Sequence, residues 1–189
     1  MAFGIQGSLV RLVPLDWDRH GENAYRWVND PEVTEFLLIG DRPLMRDAER
    51  EFFQRMAKSE TDVLFAIETL DGRHVGMSGL HGIDVQNGTA TTGTFIGEVS
   101  DRGQGYGRES AALRTAYAFE TLGLRLLYSA YQVGNDRSRR MQESVGYKAW
   151  GTRERAYWKR GRYIDLVETR LFAEEWRENQ PASTSVRER

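Results

Sequence analysis

A single mixed α/β domain, with a central mixed sheet flanked by helices, is the fold class this chain predicts, on three observations. A strand-like run at 94–99 meets the loop Arg102-Gly103-Gln104-Gly105-Tyr106-Gly107, then a helical run at 108–122 and a strongly apolar strand at 126–133. Strand, loop, helix, strand is a crossover unit, which makes its two strands parallel neighbours. Strand-rich runs broken by Asp71-Gly72 and Asn87-Gly88 predict two hairpins. Before them, apolar residues recur at helical offsets.

Taken in order, residues 8–15 form a first strand, with Leu9, Val10, Leu12 and Val13 around Arg11 and a proline after them. A helix follows at 16–28, carrying Trp17, Ala24, Trp27 and Val28, with Asp16 or Asp18 as its N-cap. Asn29-Asp30-Pro31 stops it, because a residue before proline avoids the helical region. Pro31 opens a short second helix with Val33, Phe36 and Leu37. A third amphipathic helix at 46–58 presents Ala48, Phe52, Phe53 and Met56. The hairpins occupy 63–69 with 74–80, and 82–85 with 89–99. Leu122-Gly123 ends the long helix, and a short polar helix at 136–144 ends at Gly146-Tyr147. Strands at 148–158 and 163–172 close the domain around Lys159-Arg160-Gly161-Arg162. The folded domain is expected over 8–176, and the polar residues 179–189 are expected to be a disordered tail.

Composition narrows the function classes. With 40% apolar and 29% charged residues the chain reads as an ordinary globule of one core. Neither an 18-residue apolar span nor a basic-then-apolar leader is seen, so the expected location is cytoplasmic, with no membrane partner. The absence of cysteine excludes disulfides, thiolate metal sites and a cysteinyl acyl intermediate. His20, His74 and His81 lack metal-ligand spacing and read as surface or turn residues, so no metal is expected. The net charge of −2 is unevenly spread: residues 29–62 hold nine acids and five bases, residues 134–163 nine bases and three acids. An acidic half attracts a cationic amine and a basic half attracts phosphates; solvated faces are the alternative for each.

The glycine loop carries the chemistry. Glycine allows a sharp turn and puts no Cβ between backbone and ligand, so successive N–H groups converge. A helix starting there adds unpaired N–H groups and the positive end of its dipole, an arrangement suited to a phosphate or pyrophosphate. A turn without a ligand is the competing reading. The loop lacks the Lys-Ser or Lys-Thr of a nucleotidase loop, and its third glycine comes one residue early for a dinucleotide fingerprint.

Arg102, Gly105 and Gly107 fit the Arg/Gln-x-x-Gly-x-Gly/Ala signature, and with it the chain resembles the GNAT superfamily of acyl-CoA-dependent N-acetyltransferases, RimJ/RimL-like type. The resemblance extends over residues 9–176 and includes Trp27 with Asn29-Asp30-Pro31-Glu32-Val33, Ile96-Gly97-Glu98, Glu109, Asn135 with Ser138, Gly146-Tyr147 and Gly161-Arg162-Tyr163-Ile164-Asp165. It implies a GNAT-like fold in which acetyl-CoA lies between two splayed parallel strands, here those ending near Val99 and Val133. It puts the pyrophosphate on the amides of Arg102, Gly103, Gln104, Gly105, Tyr106, Gly107 and Arg108. Pantetheine would pair with the backbone from Gly97 to Val99 and with the side chain of Asn135, and Arg139 or Arg140 would meet a CoA phosphate.

The implied reaction is direct attack of a neutral amine on the thioester, which needs a base, an oxyanion donor and a proton for the departing thiolate. Glu98 is the first candidate base, at the strand end beside the thioester in the family arrangement; a solvent-facing carboxylate is its alternative. Glu35 and Asp84 are further candidates on the substrate side. Many family members place a tyrosine seven residues after the asparagine, where this chain has Gln142, so Ser138 becomes the candidate acid, with helix capping as its rival. Trp27, Phe36, Trp150, Tyr157 and Trp158 are candidates for the acceptor pocket, most of them more at home in packing. The acceptor stays open among protein N-termini, polyamines, aminoglycosides, amino sugars and amino acids, because fold does not fix substrate. A homodimer is compatible with the resemblance. Two other classes remain: a ribosome- or RNA-binding module using the basic stretch, and a non-catalytic acyl-CoA-binding protein.

Overall fold

The computed structural model describes residues 4–39 and 42–179. Its eight strands form one sheet in the order β1-β2-β3-β4-β5-β6-β8-β7. These are β1 (Ile5–Gln6), β2 (Val10–Pro14), β3 (Val63–Thr69), β4 (His74–Asp84), β5 (Thr89–Ile96), β6 (Leu126–Gln132), β7 (Lys148–Lys159) and β8 (Arg162–Phe172). The helices are α1 (Trp17–Val28), α2 (Arg46–Met56), α3 (Tyr106–Ala116), α4 (Asp136–Val145) and α5 (Ala173–Glu178). Neighbouring strands are antiparallel except β5 and β6, the crossover pair expected to be parallel.

That pair is short. Only Thr89, Ala90 and Thr91 of β5 stand against Leu126, Leu127 and Tyr128 of β6. Two side-chain bonds close the junction, Thr92 Oγ1 to the Tyr128 carbonyl and Ser129 Oγ to the Thr92 carbonyl, both at 3.2 Å. Beyond it the strands part, because β5 stays in register with β4 as far as Ile96 while β6 follows β8 to Gln132.

The helices pack on both faces. Ala24 of α1, Phe53 of α2 and Met77 of β4 form one cluster. On the other face Val10, Phe65 and Ile67 meet Leu113 and Tyr117 of the α3 segment, and Leu80, Leu127 and Leu171 pack with Phe119 and Trp176. Asp16 caps α1 by accepting from Arg19 N at 3.0 Å, as the sequence predicts.

Several boundaries differ from expectation. The helix predicted from Pro31 is one 3-10 turn, Thr34–Phe36, after which Leu37 is extended with ψ 157°. Here β7 intervenes: the buried Lys159 ammonium donates to the carbonyls of Leu37 and Ile39 at 2.6 Å, and Arg160 reaches the Pro31 carbonyl at 3.0 Å. Those contacts hold residues 31–39 out of a helix. The strand predicted to run to Val99 stops at Ile96, and Val99–Asp101 is a 3-10 turn. Helix α3 begins at Tyr106, and its expected last turn is a π-helical segment, Tyr117–Thr121. Arg160 and Gly161, with φ of 49° and 78°, make the tight turn of the closing hairpin. Of the tail expected at 179–189, Asn179 is the C-cap of α5, and 180–189 lie outside the described residues.

Candidate active site

The glycine loop delivers α3 with its N-terminus open. Gly103 and Gly105 have φ of 83° and 88°, a left-handed backbone that residues with a Cβ rarely adopt. Gly105 is the N-cap, and the first intrahelical bond runs from Glu109 N to its carbonyl at 3.0 Å. Tyr106, Gly107 and Arg108 thus hold first-turn N–H groups that have no acceptor one turn back. Arg102 N is already committed to the Val99 carbonyl at 3.1 Å, so the amide set starts one residue later than expected. Glu109 fixes the loop from behind: its carboxylate accepts from the amides of Ser8, Leu9 and Val10 at 2.7–2.8 Å.

A cavity of about 1350 Å³ runs from this loop through the gap between β5 and β6 to the face covered by α1 and α2. Val99, Arg102, Gly103, Gly105, Tyr106, Gly107 and Arg108 line it; Gln104 is exposed and does not. Asn135, Ser138 and Arg140 line it from the start of α4, together with Arg137. Arg139 is instead held by Asp136 and Glu143 at 3.1 Å. Asn135 is the N-cap of α4: its Oδ1 accepts from Ser138 N at 3.1 Å. Ser138 Oγ and the Ala130 carbonyl accept from Gln142 Nε2, and Gln142 Oε1 accepts from Thr169 Oγ1 at 2.6 Å. Gln142, buried where a tyrosine was expected by family likeness, ties α4 to β6 and β8 and holds Ser138 at the cavity wall.

Gln132, in the splayed part of β6, also lines the cavity, and its buried Nε2 has no partner among the described residues. A buried amide N–H without an acceptor is costly, so a ligand carbonyl in this gap is a physical fit. Pantetheine, which carries amide carbonyls, suits it, as the open N–H groups of α3 suit a diphosphate.

On the acceptor side the structure redistributes the expected roles. Glu98 does not line the cavity. Its Oε1 accepts from Trp27 Nε1 at 2.8 Å and from Arg26, and those two hydrogen bonds hold its pKa below the ordinary carboxylate value. A carboxylate so engaged makes a poor base. Trp27 is 1% exposed and packs on Gly97, where a Cβ would fall about 2.0 Å from the indole. Gly97 is therefore glycine because of Trp27, and its N–H is spent on the Val75 carbonyl at 3.0 Å. Glu35 is exposed outside the cavity, and Asp84 accepts both Asn87 nitrogens in the β4–β5 turn, which lowers its pKa.

Besides Gln132 and Arg137, two acceptor-side features were missed. Glu49 of α2 is 5% exposed, lines the cavity and has no partner among the described residues; burial raises its pKa. Its spacing of three and four residues from Phe52 and Phe53, on the apolar side of the helix, was the available signal. The second is His81, paired through Nδ1 with Asp62 Oδ1 at 3.0 Å and also in the cavity wall. His20 and His74, expected at the surface, are buried instead, His20 on Glu68 and His74 on the Gly76 carbonyl. No cluster of three or more metal-ligating side chains occurs among the described residues.

A splayed parallel pair, a helix start opening into the splay and a cavity crossing the sheet together define a transferase of the acyl-CoA type. The chain belongs to the GNAT acetyltransferase family, whose domain model matches residues 10–148. It is 30% identical over 173 residues to "Putative ribosomal N-acetyltransferase YdaF" of Bacillus subtilis, covering 88% of this chain and 92% of that one, in line with the RimJ/RimL-like resemblance. The spermidine N-acetyltransferase of Vibrio cholerae, solved with CoA and spermine, superposes with a TM-score of 0.82 at 18% identity, covering 90% of this chain and 99% of that one. A GCN5-related N-acetyltransferase from Brucella melitensis gives 0.74 at 24%, covering 94% and 81%. At such identities these two structures speak for the fold.

Proposed function

We propose that this chain moves an acetyl group from acetyl-CoA to a primary amine by direct attack, both substrates being bound together. The observation that carries the reading is the continuous cavity, which has the N–H-rich start of α3 at one end and the buried Glu49 carboxylate at the other. The α3 start, with Arg102, Arg108 and Arg140 around it, holds the diphosphate and its neighbouring phosphate. Gln132 and Asn135 receive pantetheine in the splay; Asn135 keeps its amide NH2 for this, since capping uses only its oxygen. Ser138, fixed by Gln142, offers its hydroxyl toward the departing sulfur.

Glu49 supports a cationic acceptor. A buried carboxylate without a partner attracts an ammonium group strongly, because little water competes there. The chain carries no cysteine, which agrees with transfer without an acyl-enzyme step. The test is CoA release with spermidine, glucosamine, lysine, kanamycin and peptides bearing ribosomal-protein N-termini, beside acetyl-CoA titration by calorimetry. Turnover on at least one amine is expected; binding of acetyl-CoA without any turnover would leave a non-catalytic binder, and no binding would remove the reading.

A further inference from the structure

We propose that His81, oriented by Asp62, takes the proton from the acceptor ammonium; the inference rests on the transferase reading and names the base that reading leaves open. Of the three histidines, His20 and His74 are spent in the core, while the His81 side chain is 42% exposed and lines the cavity. It stands on β4 opposite Thr91, the last β5 residue paired with β6 before the strands part. Its ring lies over the next two glycines on this face of the strands, Gly79 before it on β4 and Gly93 after Thr91 on β5: Nε2 is 2.9 Å from where a Cβ at Gly79 would be and 3.9 Å from one at Gly93. Those glycines clear the floor beside the splay, where the thioester end of a bound acyl-CoA must emerge.

The Asp62 carboxylate sets the ring. Its Oδ2 accepts from Ser59 Oγ at 2.7 Å and from Thr61 Oγ1 at 3.3 Å, which leaves Oδ1 for His81 Nδ1. With Nδ1–H donated to a carboxylate, Nε2 is the nitrogen with the lone pair, and no bond occupies it among the described residues. A base held by an orienting acid is the arrangement that proton abstraction calls for. Glu32, Glu49, Glu51 and Arg55 also line the cavity, as does Arg102, which donates to the Glu32 carbonyl at 3.2 Å, with Arg114 beneath on the Gly93 carbonyl. The buried Glu49 carboxylate, without a partner among the described residues, favours an arriving ammonium.

The step balances without any further reactant. One proton of the ammonium passes to His81 Nε2, and the freed lone pair bonds to the acetyl carbon as the carbon–sulfur bond breaks. A second N–H proton goes to the departing sulfur. The products are the amide, the CoA thiol and an imidazolium that returns its proton to water.

The experiment uses the full chain and whichever amine of the panel above gives the fastest wild-type turnover. His81→Ala should lower kcat by roughly 10²- to 10⁴-fold, the range of a positioned base, with acetyl-CoA affinity unchanged by calorimetry. Added imidazole should restore part of that rate, which a purely structural role would not allow, and Asp62→Asn should cause a smaller loss. A His81→Ala rate within threefold of wild type, or no imidazole rescue in a variant that still binds acetyl-CoA, overturns the assignment. A wild-type chain that binds acetyl-CoA and acetylates no amine overturns the transferase reading, and the assignment with it.

Discussion

Glu49 and His74 are two buried ionisable groups that the fold treats in opposite ways. Glu49 keeps a carboxylate where burial raises its pKa, so the folded chain holds that proton more tightly than the unfolded one. Stability from this group is therefore greatest at low pH and falls as pH rises above the ordinary glutamate value. Glu49→Gln should raise Tm at pH 7, lose that gain below about pH 4.5, and weaken binding of the amine acceptor; thermal scans with amine titrations check both. His74 lies between the rings of His20 and Trp27, at 4.7 and 4.6 Å, and burial, reinforced by His20, pushes its pKa down to about 4. The folded chain thus refuses a proton that the unfolded chain accepts. Its contribution is complete above about pH 6.5 and is lost towards pH 4, on the order of 3 kcal/mol. Urea melts across that window should show a flatter pH slope in His74→Gln than in wild type.

At the scale of elements, the start of α3 joins the N-terminal strands to the site. Glu109 collects three backbone N–H groups from residues 8–10, and its charge lies at the positive end of α3. Glu109→Ala should cost about 2 kcal/mol or more, since charge-assisted bonds are lost and amides are left unpaired. Chemical denaturation measures it, and acetyl-CoA affinity should fall with it as the loop loosens. Gly107 permits a cleaner test than Gly105, because its backbone is not left-handed and an added Cβ would meet Ile96 and Met141 only at 3.6–3.7 Å. Gly107→Glu should fold and lose acetyl-CoA affinity by about 100-fold or more, through bulk and negative charge beside the helix start. Retained affinity in calorimetry would move the phosphates elsewhere. Period, caps and turn residues made α1, α2, the hairpins and the crossover readable in advance. The segment 31–39 was misread because Lys159 and Arg160, at least 120 residues away, satisfy its carbonyls in place of helical bonds.

For the whole molecule, one cavity among the described residues connects both faces of the sheet through the splay. A ligand bound there ties β5, β6, α3 and α4 together and favours the folded state by mass action. Acetyl-CoA at 100 times its Kd should add about 2.7 kcal/mol. For a chain of this size that is a rise in Tm of about 5–10 °C, readable by differential scanning fluorimetry. The glycine signature, the crossover and the missing cysteines are local facts, and the sequence alone settled from them the fold class and the family. The acceptor end depends on which faces α2, β4 and the loop before β3 turn toward each other. Spacing along the chain holds no record of that. Tertiary packing therefore decided that Glu98 would be held by Arg26 and Trp27, while Glu49 and His81 were left lining the cavity.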